Sequence, residues 1–317
     1  MLAMHEIPLG QCPVSHRFAS GAITVVLGRN RSGKTRLCRL LAGLEQPAGG
    51  RIELDGQDIT RLPPGRRDVA MVYQAFVNYP HLTVFDNIAS PLRAQRAGRD
   101  VITARVTEIA ARLGLTELLD RLPAQLSGGQ QQRVAIGRAL AKGARVLVLD
   151  EPLVNLDYKL REELEVELRN MLTDGALTVV YTTSDPRDAF NLGDEVVLLE
   201  NGRILQSGPP LAVYRAPVSE AAADLMSDPG VNRYRDGSRV CVVRPEHLRI
   251  EPVAGAERRF ELAVLTVETN GSETYLHGTV AGEHWVAKLP GLHRVEPGER
   301  VLLRAEADAV MEFPAGG

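Results

Sequence analysis

Short apolar runs alternate with segments of helical period along the first two thirds of the chain. Ala22-Ile23-Thr24-Val25-Val26-Leu27 and Val146-Leu147-Val148-Leu149 are near-continuous, the pattern of strands buried on both faces. Residues 177–182 and 195–199 read as further strands, the latter turning at Asn201-Gly202. Arg36-Leu37-Cys38-Arg39-Leu40-Leu41 predicts a helix stopped near Gly43. Helical periodicity runs over residues 100–120. Leu160, Leu164, Leu168 and Leu172 recur every fourth residue and predict an amphipathic helix over 158–172. Residues 51–54, a turn at Asp55-Gly56 and residues 58–60 predict a hairpin. Alternating strands and helices predict an α/β domain with a mainly parallel sheet over residues 1–216, including a helical subdomain over about 75–143.

The pattern changes after Tyr214. Ala216-Pro217 and Asp228-Pro229-Gly230 punctuate a stretch that reads as a linker over 217–238. Short β-branched runs broken by glycine follow, at 240–243, 260–267, 275–280, 284–288 and 301–304. They predict a small all-β module of OB-like type over 239–317, with none of the alternating helices of the first part.

Composition narrows the class. A chain of 317 residues fits a large domain plus a small one. With 44% hydrophobic and 24% charged residues it has the make-up of a soluble globular protein. A net charge of -3 gives no sign of a nucleic-acid partner. No apolar run approaches the roughly 18 residues of a membrane span. The start, Met1-Leu2-Ala3-Met4-His5-Glu6, lacks the basic and long apolar parts of a signal peptide. The expectation is a cytoplasmic chain that meets a membrane only through a partner. Cys12, Cys38 and Cys241 are scattered and odd in number, which suits reduced thiols better than a zinc site.

Three local patterns carry chemistry. Gly28-Arg29-Asn30-Arg31-Ser32-Gly33-Lys34-Thr35 matches G-x4-G-K-[ST] between a predicted strand and a predicted helix. Its glycines let backbone N–H groups turn toward phosphate oxygens, and the helix start adds positive potential. Lys34 offers a point charge for the β- and γ-phosphates, and the Thr35 hydroxyl a ligand for Mg²⁺. Asp150 and Glu151 end the strand at 146–149. Asp150 can hold the metal and Glu151 can polarise an attacking water, although two carboxylates at a strand end can also be a solvated turn. Ser127-Gly128-Gly129-Gln130 opens a second glycine-rich helix start. Ser127 could be an ordinary helix cap. The functional reading is that this motif closes over a triphosphate held by another subunit, because one chain does not need two such sites for one nucleotide.

These motifs, in this order, resemble the ATP-binding subunits of ABC transporters, and the resemblance runs over nearly the whole chain. Val243-Arg244-Pro245-Glu246-His247-Leu248 and Gly271-Ser272-Glu273-Thr274 are similar to the regulatory C-terminal domain of carbohydrate and polyol importers, the maltose and glycerol-3-phosphate type. Met71-Val72-Tyr73-Gln74, Asn78-Tyr79-Pro80, Leu156-Asp157-Tyr158-Lys159-Leu160-Arg161-Glu162-Glu163-Leu164 and Tyr181-Thr182-Thr183 are similar to the ATPase pair of bacterial glycerol importers. The resemblance implies ATP and Mg²⁺ as ligands, Gln74 reaching the metal and the attacking water, and Asp157 at a subunit interface. It implies a second ATPase subunit and a groove, from Ala75 to Leu82, for a coupling helix of membrane-spanning permease subunits. Phe76, Tyr79 and Pro80 suit such a partly apolar surface, with core packing the other reading for Phe76.

The chain departs from the family at three places. Ser184 stands where most relatives have a histidine that reaches the γ-phosphate, and losing one such contact costs about 2–4 kcal/mol. Val154 replaces a usual serine in Leu153-Val154-Asn155-Leu156-Asp157. The N-terminal stretch is short, so that only His5 falls near the place of the aromatic that stacks on adenine, while Phe18 reads as strand core. The expected activity is ATP hydrolysis that drives import of a small polyol or carbohydrate, glycerol included, from the cytoplasmic face of the cell membrane. Ser184 raises the alternative of a nucleotide-gated, weakly hydrolytic member of a heterodimeric pair.

Overall fold

The computed structural model describes residues 1–75, 77–154, 161, 165, 166, 168–170, 177–252 and 257–314. Two compact units divide at Val213 and Tyr214. The first begins with β1 (Leu2–Pro8), β2 (Pro13–Phe18), β3 (Ile23–Leu27), α1 (Lys34–Ala42), β4 (Arg51–Leu54), β5 (Gln57–Asp58) and β6 (Val69–Val72). It continues with α2 (Val84–Ala94), α3 (Arg99–Arg112), α4 (Gly128–Ala141), β7 (Val146–Asp150), β8 (Thr178–Thr183), the helix Pro186–Leu192, β9 (Glu195–Glu200) and β10 (Arg203–Gly208). Six strands form the central sheet in the order β10-β9-β3-β8-β7-β6, parallel except for β10. Every residue of β3, β7 and β8 is buried, as strands covered on both faces require. A second, antiparallel sheet has the order β2-β1-β4-β5. Its Leu2, Met4, Phe18 and Ile52 share a core with Leu37, Leu40 and Leu41 of α1 and with Val26, Val148 and Val180.

The parallel register places the chemistry. Leu27 lies level with Thr183 and Leu198, and Asp150 level with Thr182. The phosphate loop, the acidic pair and the Thr182–Ser184 turn therefore leave the sheet along one carboxyl edge, where open α/β sheets bind ligands.

The helix α1 is fixed at its far end by a buried cation. Arg67 is 2% exposed and donates to the carbonyls of Leu40 at 2.6 Å, Leu41 at 2.9 Å, Leu62 at 2.8 Å and Thr60 at 2.5 Å. Two of these are carbonyls of the last turn of α1, where a cation is also favoured by the helix dipole; the Leu40 carbonyl accepts from the Gly43 N–H as well. Gly43 follows with φ +76°, and a Cβ there would strike the guanidinium.

Several expectations need correction. The helical reading over 100–120 holds only for α3, which ends at Arg112 because Gly114 turns left-handed at φ +61°. Residues 116–118 form only a short 3-10 turn. The second strand of the predicted hairpin is β5, two residues long and starting one residue early. The stretch read as a linker contains a helix, Glu220–Leu225, and β11 (Asn232–Asp236). The amphipathic helix over 158–172 lies partly outside the described residues; 161, 165, 166 and 168–170 are helical.

The second unit adds β12 (Arg239–Val243), β13 (Glu257–Thr269), β14 (Glu273–Val280), β15 (Glu283–Pro290), β16 (Arg300–Glu306) and β17 (Val310–Pro314). One sheet has the order β11-β12-β17 and the other β15-β14-β13-β16. Trp285 is wholly buried, its ring 4.7 Å from that of Phe260, and its indole N–H donates to the Arg233 carbonyl at 3.0 Å. Arg244 stacks 3.7 Å over the Tyr214 ring and donates to the Tyr214 carbonyl and the Ser227 hydroxyl. Burial and the Glu246 carboxylate, which accepts from the Tyr214 hydroxyl, push that phenol up to about 12.

Replacing Arg67 by Met removes the donor to four carbonyls, of which Leu40 keeps the Gly43 N–H at 3.2 Å. We expect Arg67→Met to lower the denaturant stability of the first unit by about 3 kcal/mol or more, with Arg67→Lys recovering only part. Equal midpoints for Arg67→Met and the native chain would show that the carbonyls find other donors.

Candidate active site

The phosphate loop is a strand-to-helix turn held from several sides. Gly28 donates its N–H to the Thr183 carbonyl at 3.1 Å, and Ser32 donates to the Arg29 carbonyl at 3.1 Å. A Cβ on Gly28 would collide with the Leu199 carbonyl and the Ser32 hydroxyl. Arg31 and Gly33 take positive φ, +68° and +110°, the left-handed conformations from which anion-cradling loops are built. The Lys34 ammonium is buried. It donates to the carbonyls of Gly28 at 2.5 Å and Arg29 at 2.9 Å and pairs with Glu151 Oε1 at 3.1 Å.

The acidic pair is built by the β7–β8 register. Asp150 Oδ1 accepts from the Thr35 hydroxyl at 3.2 Å and the Thr182 hydroxyl at 3.0 Å. Burial pushes its carboxyl up, the Thr182 and Thr35 hydroxyls pull it back, and the neighbouring Glu151 adds to the rise. The same burial, with Asp150 beside it, raises the Cys38 thiol well above its usual range, as befits an inert structural thiol. Glu151 adopts φ +46°, uncommon for a residue with a Cβ. Its N–H donates to the carbonyl and the hydroxyl oxygen of Thr182, each at 3.1 Å.

A polar cleft of about 440 Å³ gathers Asn30, Arg31, Gly33, Lys34, Thr35, Gln74 and Glu151, together with Arg36. Thr35 Oγ, Asp150 and Gln74 supply the hard oxygen donors that suit Mg²⁺ beside a phosphate. Ser184 is exposed at the end of β8 and is not among the residues that line the cleft. Ser127–Gln130 do not line it either. Ser127 caps α4 by accepting from the Gln130 N–H at 3.3 Å, and the Gln130 side chain accepts from the Ser127 N–H at 3.0 Å. Asp157, Asn155, Leu156 and Phe76 lie outside the described residues.

Thr182 and Arg36 were not singled out as site residues from the sequence. Arg36 follows the loop motif directly. Thr182 could have been found only by aligning β8 with β7. Asn87, wholly buried, is a third: its side chain accepts from the Tyr79 N–H and donates to the carbonyls of Tyr79, Leu82 and Thr83, pinning the predicted docking segment to α2. Beside this segment a more apolar groove of about 310 Å³ is lined by residues including Met71, Tyr73, Tyr79, Pro91, Arg138 and Lys142.

A strand–loop–helix phosphate cradle, a buried aspartate on its threonine and a second helix that opens on Gly128-Gly129 behind a Ser127 cap define an ABC-type nucleotide-binding cassette. The family model for ABC transporters matches residues 12–154, and that for the TOBE domain residues 241–313. The chain is 35% identical over 330 residues to an sn-glycerol-3-phosphate import ATP-binding protein of Chromobacterium violaceum, covering 95% of this chain and 89% of that protein. It is 36% identical over 333 residues to an alpha-glucoside transport ATP-binding protein of Rhizobium meliloti, covering 94% and 91%. A bacterial ABC transporter cassette solved as a dimer superposes with a TM-score of 0.59 at 26% identity, over 66% of this chain and 99% of that one. The chain belongs to the ABC transporter family: it is an ATPase of the importer type, an ABC cassette followed by an all-β TOBE domain.

Thr182→Val keeps the shape and removes the hydroxyl shared by Asp150 and the Glu151 N–H. The expected loss is about 1–2 kcal/mol of denaturant stability, with a further fall in Mg-ATP turnover. A variant indistinguishable from the native chain in both measurements would show that the hydroxyl is idle.

Proposed function

We propose that this chain hydrolyses Mg-ATP to drive import of a small polyol, polyol phosphate or carbohydrate. The observation that carries the reading is the convergence of Lys34, Thr35, Gln74 and Glu151 on one cleft, with Asp150 behind Thr35. Thr35, Asp150 and Gln74 would hold Mg²⁺, which would supply charge neutralisation for the triphosphate. The backbone of Asn30, Arg31 and Gly33, which line the cleft, and the Lys34 ammonium grip the triphosphate. Glu151 orients and polarises the water, once the triphosphate takes over the Lys34 ammonium.

The signature residues Ser127, Gly128, Gly129 and Gln130 stand outside the chain's own cleft, so they serve the nucleotide of a second ATPase subunit in a head-to-tail dimer. The dimeric cassette among the structural relatives supports that arrangement, and Asp157 is assigned to its interface. No helix among the described residues is long and apolar enough to cross a membrane. As the ATP-binding member of an importer, the chain is assigned to the cytoplasmic face of the membrane, docked on permease subunits through the groove beside Ala75 to Leu82. Its aromatic lining, with Arg138 4.8 Å from the Tyr79 ring centre, suits an amphipathic helix. The names of the relatives support the solute class.

Ser184 favours a second reading. Its short hydroxyl is exposed away from the cleft lining, so the site built on Lys34 hydrolyses slowly and a related, more competent subunit completes the dimer.

Two variants separate these readings. Glu151→Gln should reduce turnover by about 10²–10⁴-fold. Ser184→His should raise it at least about tenfold if Ser184 limits the site, and equal turnover in a homodimer would remove the slow-site reading. Uptake of sn-glycerol 3-phosphate, glycerol and an α-glucoside by cells with and without the chain tests the solute class. Uptake of all three independent of the chain would discard it.

A further inference from the structure

We propose that Gln132 is a positioning residue that ties the signature helix to the Glu151 turn of the same chain. The inference rests on the reading of Glu151 as the residue that polarises water. Gln132 lies in the second turn of α4, is wholly buried, and donates its side-chain amide to the carbonyl of Pro152. Pro152 directly follows Glu151. The left-handed turn at Glu151 is thus gripped on both sides: Thr182 takes the Glu151 N–H, and Gln132 takes the carbonyl of the following residue, Pro152.

The side chain is a poor choice for packing alone. Its Oε1 is buried with no hydrogen-bond partner among the described residues. A buried orphan acceptor is unfavourable, and an apolar side chain of the same volume would fill the space without it. What the amide supplies and an apolar group cannot is the bond to Pro152.

The other side of α4 is tied to the docking segment. Asn78 donates its amide to the carbonyl of Gln131 at 2.8 Å. Arg138 donates to the Val77 carbonyl and lies over the Tyr79 ring. Adjacent residues of one helix therefore hold the 77–79 segment and the residue after Glu151. A rotation of α4 that moves Ser127–Gln130 moves the Pro152 carbonyl with it. Gln132 makes the attitude of the signature helix a condition for the placement of this chain's own carboxylate.

The test uses the full chain, alone and in its membrane complex. Gln132→Met keeps volume and helix propensity and removes the donor. ATP affinity should stay within about twofold of native, while turnover at saturating ATP falls at least about tenfold, a loss in kcat without a matching change in binding. Gln132→Glu places an acceptor against the carbonyl when ionised and a donor when protonated. Its turnover relative to the native chain should rise as pH falls, a readout that simple packing does not move. Native turnover in Gln132→Met, or parallel losses of affinity and turnover, would overturn the proposal. Should Gln132→Met fail to fold, the pH ratio of Gln132→Glu decides, and a flat ratio would overturn it. Glu151→Gln run alongside separates the layers. If it turns over like the native chain, the reading of Glu151 fails; if it is inactive while Gln132→Met is fully active, only the positioning role fails.

Discussion

The buried ammonium of Lys34 sets the conditions for the first unit. An unpaired charge in that position would be very unfavourable. The chain surrounds it with two carbonyls of its own loop and one carboxylate. For those groups to meet, β3 must deliver Gly28 beside Thr183, β7 must end at Asp150 so that Glu151 follows in the turn, and α1 must start immediately at Lys34. The sheet order, the loop curvature and the left-handed turn at Glu151 are all consistent with that one requirement. The partner of Lys34 in this arrangement is Glu151, the residue proposed above to polarise water. Under that proposal, nucleotide binding exchanges one anion for another at the ammonium and frees the carboxylate.

Much of this was legible in the sequence because the decisive groups are contiguous. Residues 28–35, 127–130 and 150–151 each carry their meaning within one turn of chain, and the buried strands announce themselves as apolar runs. What escaped notice depends on distant partners. Thr182 acquires a role only through its register with Asp150. Arg67 reads as one of many charged residues until four carbonyls close around it. The edge strands β10 and β17 and the hairpin of β1 and β2 have mixed patterns, since one face or one edge meets solvent. The reading of 100–120 as one helix failed at Gly114, where backbone freedom outweighed apolar periodicity. The stretch over 217–238 looked like a linker because its proline and glycine signals are real, yet the short helix and strand between them pack on the β module. There Ala223 and Val231 share a small core with Val242.

Ser184 shows where a sequence departure gains meaning from structure. Its neighbours are firmly held: the Thr183 hydroxyl donates to Asp188 and accepts from the Asp185 N–H, and Arg161 binds both Asp185 and Asp188. Asp188 is buried and its carboxyl is pushed up by that burial, against the pull of Thr183 and Arg161. The scaffold around Ser184 is thus firmly held. Under the proposed slow-site reading, the reach of the side chain is what is reduced, not its support.

The nearly level ends of β3, β7 and β8 carry one more consequence. Because side chains alternate along a strand and the functional groups begin where the strands stop, residue count is a stricter property here than residue identity. Exchanging one β-branched residue for another inside β7 leaves Asp150 where it is. Deleting one residue there would draw the acidic pair back by about 3.3 Å and turn it to the opposite face. At the amino edge of the same sheet, turns can lengthen or shorten without reaching the cleft. Natural drift in this protein is accordingly expected as changes of spelling along the strands and changes of length only on the side away from the nucleotide.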